Sequence, residues 1–187
     1  MMLKTLDLNI DYNKLLEEYQ KLDVDTLLWH PNKLKQISIQ CRKETSDEDQ
    51  LYESCGSLTF DWKDYDNTGK LPLRKENFSE KDFNITCDYF KNTYFEYVIN
   101  EISKHYNVYR GRFLLSQHKT CLTYHKDPSP RLHIPIYTNE DCMMIIEDKV
   151  VRLPFGNTYV VDTRLKHTAL NASKHKRTHL VFCIDKF

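Results

Sequence analysis

From Asn107 onward the chain alternates apolar and polar residues in short runs separated by turn residues. The runs are Tyr109 to Leu115, Thr120 to His125, Arg131 to Tyr137, Cys142 to Glu147, Thr158 to Asp162, Lys166 to Leu170 and Arg177 to Asp185. Such a succession predicts an antiparallel sandwich or barrel. Two runs are more informative than the rest. In Arg131 to Ile136, period 2 puts Leu132, Ile134 and Ile136 on one face and Arg131 and His133 on the other. In the last run Leu180, Phe182 and Ile184 oppose Arg177, His179 and Asp185 in the same way. A face of Arg and His recurring opposite an apolar face predicts a polar pocket on one side of the sheet and a helix-backed core on the other.

Before residue 106 the texture differs. Leu15, Leu16, Tyr19 and Leu22 fall at helical spacing behind Asp11, which predicts a capped amphipathic helix over 11–22. Phe90, Tyr94, Val98 and Ile102 recur every four residues and predict a longer helix from a Thr86 cap to His105. Gln36 to Arg42 and Ser57 to Trp62 alternate as strands, with loops at Glu44 to Glu53 and Asp64 to Asn77. The expectation is one domain over 1–187, mainly β with flanking helices. Residues 1–106 would supply helices and outer strands, and 107–187 the core.

Charge and cysteine usage narrow the function classes. Lysine plus arginine equals aspartate plus glutamate at 27 each, without a long block of either sign, so a phosphate-binding face is not expected. Cys41, Cys55, Cys87, Cys121, Cys142 and Cys183 lie too far apart for a zinc knuckle or redox motif and are expected to be buried and reduced. With neither a leader pattern at Met1 to Ile10 nor an apolar stretch of membrane-spanning length, the expectation is a soluble, cytoplasmic protein with no nucleic-acid or membrane partner.

The chemistry concentrates in His125-Lys126-Asp127, which offers an imidazole and a carboxylate two positions apart. With 8 histidines and 27 acidic residues such a triplet is expected by chance about once. The surrounding constellation gives it weight: His167 lies in a later strand and Arg177 opens the last one. Two histidines and a carboxylate on one side of an iron(II) ion leave the opposite positions for a chelating cosubstrate and O2. A 2-oxoglutarate cosubstrate needs a cation for its far carboxylate. Arginine's planar fork suits that, which selects Arg177. His133 could contact the cosubstrate's other carboxylate or a metal-bound water.

These residues, from Arg112 through His125-Lys126-Asp127, Arg131-Leu132-His133-Ile134-Pro135 and His167-Thr168-Ala169-Leu170-Asn171 to Arg177-Thr178-His179-Leu180-Val181, resemble the aspartyl/asparaginyl β-hydroxylase-like branch of the 2-oxoglutarate oxygenases. Free-proline cis-4-hydroxylases are similar at the same motifs. The N-terminal half gives no comparable match. The resemblance implies a double-stranded β-helix (jelly-roll, cupin-like) core. It further implies hydroxylation of an amino acid, free or within a peptide, coupled to decarboxylation of 2-oxoglutarate to succinate and CO2. It makes His125, Asp127 and His167 the iron ligands, Arg177 and His133 the cosubstrate contacts, and Arg112 and Arg131 substrate-carboxylate contacts. Asp127 sets this chain apart from vertebrate members lacking the carboxylate ligand. Leu114 stands where some relatives carry a hydroxyl that assists the cosubstrate anchor, which leaves the partner of Arg177 open.

Competing readings remain at this level. Asp127 could close a turn before Pro128, and Arg112 and Arg131 could pair with carboxylates such as Asp185. Asn171 suits a loop-closing role, His179 a core or rim histidine, Met143 and Met144 core filler, and His30, His105, His118 and His175 surface or packing positions. Trp29, Trp62 and the 64–77 loop are candidates for the pocket's lid. A cupin-like metal-binding or sensor module would use the same three ligands without turnover. A zinc hydrolase would as well, but would leave Arg177 unexplained.

Overall fold

The computed structural model describes residues 2–28, 35–59, 73 and 77–187. In chain order its elements are β1 (Leu3–Leu6), α1 (Tyr12–Gln20), α2 (Val24–Leu27), β2 (Gln36–Ser38), β3 (Gln40–Cys41), β4 (Ile85–Thr86), α3 (Tyr94–Ser103), β5 (Val108–Ser116), β6 (Thr120–Cys121), β7 (Arg131–Tyr137), β8 (Cys142–Ile146), β9 (Lys149–Val151), β10 (Thr158–Val161), β11 (His167–Asn171) and β12 (Arg177–Ile184). Short 3-10 turns lie at Glu80–Asp82 and Asp88–Phe90.

Two antiparallel sheets face each other, a six-stranded one in the order β1-β10-β7-β12-β5-β2 and a four-stranded one in the order β6-β11-β8-β9. This is a jelly-roll, as the alternation and the resemblance predict. Leu132, Ile134 and Ile136 of β7, Leu180, Phe182 and Ile184 of β12 and Phe113 of β5 point to one side of the large sheet. There they pack with Leu15 and Tyr19 of α1 and Phe95, Val98 and Ile102 of α3. Each of these side chains is 4% exposed or less, so this helix-backed layer carries most of the apolar burial that drives folding. The opposite face of β7 and β12 looks toward the small sheet.

The helices start where local chemistry allows. Asp11 caps α1 by accepting from the Lys14 amide at 3.0 Å. The long helix expected from Thr86 begins only at Tyr94. Thr86 belongs to β4, Asn92 has a left-handed φ of 59° that no helix can contain, and the Thr93 side chain then accepts from the Phe95 amide as the true cap. The expected strand over 36–42 is likewise split at Ile39, whose amide donates to Gly111 O while β3 turns away to pair with β4. Of the expected strand over 57–62, residues 57–59 are irregular and the remainder lies outside the described residues. Three strands had no forecast: β1 along β10, β4 along β3, and β9 as the return arm of a hairpin with β8.

Two bulges shape the inner face. Val181 pairs with Arg112 and Cys183 with Tyr109, so Phe182 faces both Arg110 and Gly111. A Cβ on Gly111 would stand 2.6 Å from the Phe182 ring and 2.9 Å from Ile39 Cγ1, so only glycine fits, and Arg110 beside it sits at φ 54°. On the other side of β12 the register slips where His179 meets Pro135, whose missing N–H cannot complete the ladder.

Candidate metal centre and anion pocket

His125, Asp127 and His167 converge at the mouth of the cleft between the sheets. β6 ends at Cys121, but the chain returns to β11 at His125, where reciprocal amide bonds to His167 of 2.9 and 2.8 Å set the imidazoles side by side, centroids 4.4 Å apart and planes tilted by 50°. Asp127 is brought alongside by its amide bond to Thr163 O. Each imidazole has its Nδ1 on a backbone carbonyl, His125 on Thr123 O at 2.7 Å and His167 on Leu165 O at 3.0 Å. That fixes the N–H on Nδ1 and leaves both Nε2 lone pairs directed inward. Burial holds His167 below its ordinary pKa, so it stays an unprotonated donor at neutral pH.

The Nε2 atoms of His125 and His167 lie 3.9 and 3.6 Å from the Asp127 carboxylate oxygens, and one donor atom from each residue lies within 4.8 Å of the others. A cation at about 2.1 Å from each donor would bridge separations of this size. Two imidazoles and one carboxylate fit a divalent first-row metal, iron(II) included, and leave coordination positions open.

Behind them lies a cavity of about 480 Å³, lined among others by Arg112, His133, Met144, Ala169, Arg177 and Val181. Its floor is cationic and dry. Arg177, 6% exposed, has no carboxylate partner among the described residues, and its Nη2 donates to His179 Nδ1 at 3.1 Å. Burial lowers its pKa to about 10, which still leaves it charged at neutral pH. A buried guanidinium without a counter-ion is costly, so this end of the cavity favours an anion. His133 and His179 lie against each other with their Nδ1 atoms 3.5 Å apart, and neither Nε2 has a partner. Burial, followed by the charge of Arg177, keeps both well below the ordinary histidine pKa and therefore neutral.

The wall near the metal ligands is organised differently. Arg131 grips Glu80 with two bonds of 3.0 and 2.6 Å and also reaches Asp127 Oδ1 at 3.2 Å. Glu80 accepts further bonds from Arg110 Nη1 at 2.7 Å and Ser129 Oγ at 2.8 Å. Burial alone would raise the Glu80 carboxyl, but the Arg131 bonds and the charges of Arg131 and Arg110 overcome it and bring the pKa down to about 2. Arg112 is left over. It bonds Gln36 Oε1 and Ser54 O, while its buried Nε has no partner. Burial and the neighbouring Arg110 charge lower its pKa to about 10.

The sequence model of the aspartyl/asparaginyl beta-hydroxylase family matches residues 14–186. The chain belongs to that family. It is therefore an oxygenase of the hydroxylase type, and membership extends well beyond the C-terminal motifs into the first half. A search of curated proteins returned no match. Among solved structures, AviO1 from Streptomyces viridochromogenes Tue57 is 12% identical with a TM-score of 0.48, covering 99% of this chain and 90% of that one. An oxidoreductase of the 2OG-Fe(II) oxygenase family from Burkholderia pseudomallei is 14% identical with a TM-score of 0.39, over 63% of this chain and 62% of that one. A cupin domain from Bordetella pertussis is 14% identical with a TM-score of 0.36, over 41% and 80%.

In this member of the hydroxylase family, all seven expected site residues line one cavity. The carboxylate that engages Arg131 is Glu80; Asp185 instead pairs with Lys81 and Asn107. Three residues of the site were not singled out from sequence. Arg110 shares strand parity with Arg112, a signal that was available. Glu80 lies in a capping box begun by Ser79, which says nothing about a pocket 51 residues on. His179 was read as a core histidine, and it is one, yet it also touches Arg177. Asn171 closes the turn before β12 by bonding Ser116 O, Gln117 O, His175 O and Ser173. His105, His118 and His175 are exposed. Cys121 is exposed too, which corrects the expectation of six buried thiols; the other five are buried and free. His30, Trp29, Trp62 and residues 64–72 and 74–76 lie outside the described residues. No helix of the described residues is long and apolar enough to cross a membrane.

Proposed function

We propose that this protein is an iron(II)- and 2-oxoglutarate-dependent dioxygenase that hydroxylates an aliphatic carbon of an amino acid, free or within a peptide, with decarboxylation of 2-oxoglutarate to succinate and CO2. The observation carrying this reading is Arg177, a buried cation without a carboxylate among the described residues, at the far end of a cavity whose mouth holds His125, Asp127 and His167. Neither metal storage nor zinc hydrolysis calls for that cation.

His125, Asp127 and His167 would hold the metal, which when bound supplies the O2 and 2-oxo acid chemistry at the cavity mouth. The backbone bonds at both Nδ1 atoms keep the imidazoles aimed, with Nε2 toward the metal. Arg177 binds the far carboxylate of the cosubstrate through a charge-assisted bidentate pair. Arg112, with donor capacity unused at Nε, offers a contact for an anionic group of the substrate. Arg131 is already committed to Glu80 and Asp127 and orients the carboxylate ligand. Met144, Ala169 and Val181 supply the apolar wall that excludes water from the reacting carbon.

The test is succinate formation from 2-oxoglutarate by iron-reconstituted protein under air, alone and with pools of free amino acids and of peptides. Turnover stimulated by one pool is expected. Metal binding with neither 2-oxoglutarate binding nor succinate would overturn the reading in favour of a binding module or hydrolase.

A further inference from the structure

The floor of the cavity contains a small hydrogen-bonding puzzle with one solution. A guanidinium can only donate, so the 3.1 Å contact from Arg177 Nη2 requires a lone pair on His179 Nδ1. Neutral His179 must then carry its proton on Nε2. The His133 Nδ1 lies 3.5 Å from that same lone pair, so it faces His179 as an N–H, and His133 keeps its free lone pair on Nε2. The depressed pKa of both rings, caused by burial and then by Arg177, removes the doubly protonated alternative.

His179 also sits where it is needed. It is the register partner of Leu114 across β5 and β12, and Leu114 has no hydroxyl to offer Arg177. Arg177 and His179 are two residues apart on one strand and point to the same side, so the contact is built into β12. Both rings are buried, at 6% exposure for His133 and 1% for His179.

We infer that His179 is a positioning residue: its Nδ1 lone pair holds the Arg177 guanidinium in place for an anionic cosubstrate and sets the tautomer of His133. This inference rests on Arg177 being the cosubstrate anchor. It also revises the role of His133, whose Nε2 carries no proton in this tautomer and cannot donate to a carboxylate.

Two measurements test it. Long-range nitrogen–proton correlation spectra of the ligand-free, nitrogen-15-histidine-labelled protein should show His179 protonated at Nε2 and His133 at Nδ1. The opposite tautomer at His179 overturns the inference without reference to any activity. Calorimetric binding of 2-oxoglutarate to the Mn(II)-loaded protein should weaken at least about tenfold in His179→Ala, because a hydrogen bond to a charged group is lost, with Mn(II) affinity unchanged. His179→Asn, whose side-chain oxygen can take the place of Nδ1 as acceptor, should recover most of that loss. Wild-type affinity in His179→Ala, or equal losses in both variants, would reduce His179 to packing and overturn the inference. If His179→Ala does not fold, His179→Asn and the wild-type spectrum carry the test. A wild-type protein that binds Mn(II) but no 2-oxoglutarate overturns the cosubstrate role of Arg177, and with it that half of the inference, while the spectrum still decides whether His179 holds the guanidinium.

Discussion

Two ends of one cavity solve the problem of buried arginine in opposite ways. At the mouth, Arg131 and Arg110 share Glu80, and Arg131 also reaches Asp127, so the guanidiniums have their anions before any ligand arrives. At the floor, Arg177 has two neutral histidines and no carboxylate among the described residues. Burial is equally severe, with Arg131 at 4% and Arg177 at 6% exposure, so solvent does not explain the difference. A satisfied ion pair braces structure and holds a neighbouring ligand in place. An unsatisfied ion represents free energy that a bound anion can recover. Under the proposed function, the contrast assigns the mouth as scaffold for the metal and the floor as the place where the cosubstrate is recognised.

The largest expected effect falls on the mouth. Asp127→Ala should abolish succinate formation while leaving the thermal transition intact, because it removes a ligand from a half-exposed position and Glu80 still holds Arg131. Full activity in this variant would remove Asp127 from the metal site. Next comes the floor, where Arg177→Ala should raise the 2-oxoglutarate requirement about 100-fold, the scale for deleting one partner of a buried charge pair. An unchanged requirement would sink Arg177 as the anchor. Third, Arg131→Met should destabilise the ligand-free protein by about 3 kcal/mol in chemical denaturation, since it strips Glu80 of both Arg131 bonds and leaves a buried carboxylate only partly compensated.

Acid separates the two ends by pH window. His133 and His179 have folded pKa values well below 6.5, so as pH falls through that value the unfolded chain takes up protons that the folded chain refuses. Metal-free protein should therefore begin to lose stability below about pH 6.5 on account of the two floor histidines, with His167 at the mouth, also held low by burial, adding to the same window. Glu80, held at about 2 against an ordinary 4.5, contributes stability that is fully present above 4.5 and is lost as pH falls toward 2. That contribution is about 3 kcal/mol. Glu80→Gln should flatten the lower window and leave the upper one unchanged, as read from denaturation midpoints against pH. A change in the upper window instead would mean that the two ends are not independent.

The legibility of the site in the sequence follows the same division. The floor was visible because it sits on strands whose period-2 alternation sets His133, and Arg177 and His179, opposite runs of Leu, Ile and Phe, while the metal ligands were visible from the His125-Lys126-Asp127 triplet and the order of the motifs after it. Period 2 is local and survives without knowledge of the partner strand. The ion pairs that brace the mouth were not visible, because Glu80 comes from a 3-10 turn in the first half and the bulge beside Arg110 is set by the close approach of Gly111 to Phe182. Glu80 has no local signature, whereas Arg110 had only its strand parity with Arg112. The same holds for the first half as a whole. The α1 cap at Asp11 could be read, whereas the late start of α3 depended on the left-handed Asn92, and β1 became a strand only by pairing with β10. Long-range pairing decided what local pattern could not.

The smallest effect is the sharpest probe of the comparison. Arg177→Met replaces an unpaired buried cation with an apolar side chain of similar length, and the desolvation cost it removes is set against only one lost bond, that to His179 Nδ1. His133 Nδ1 remains beside that lone pair, so the substitution strands no acceptor. The ligand-free stability of Arg177→Met should therefore stay within about 1 kcal/mol of wild type or rise, even as 2-oxoglutarate binding is lost. A loss of about 3 kcal/mol, as expected for Arg131→Met, would mean that Arg177 is held by structure as firmly as the arginine at the mouth. The distinction between a braced end and an end awaiting its anion would then fail.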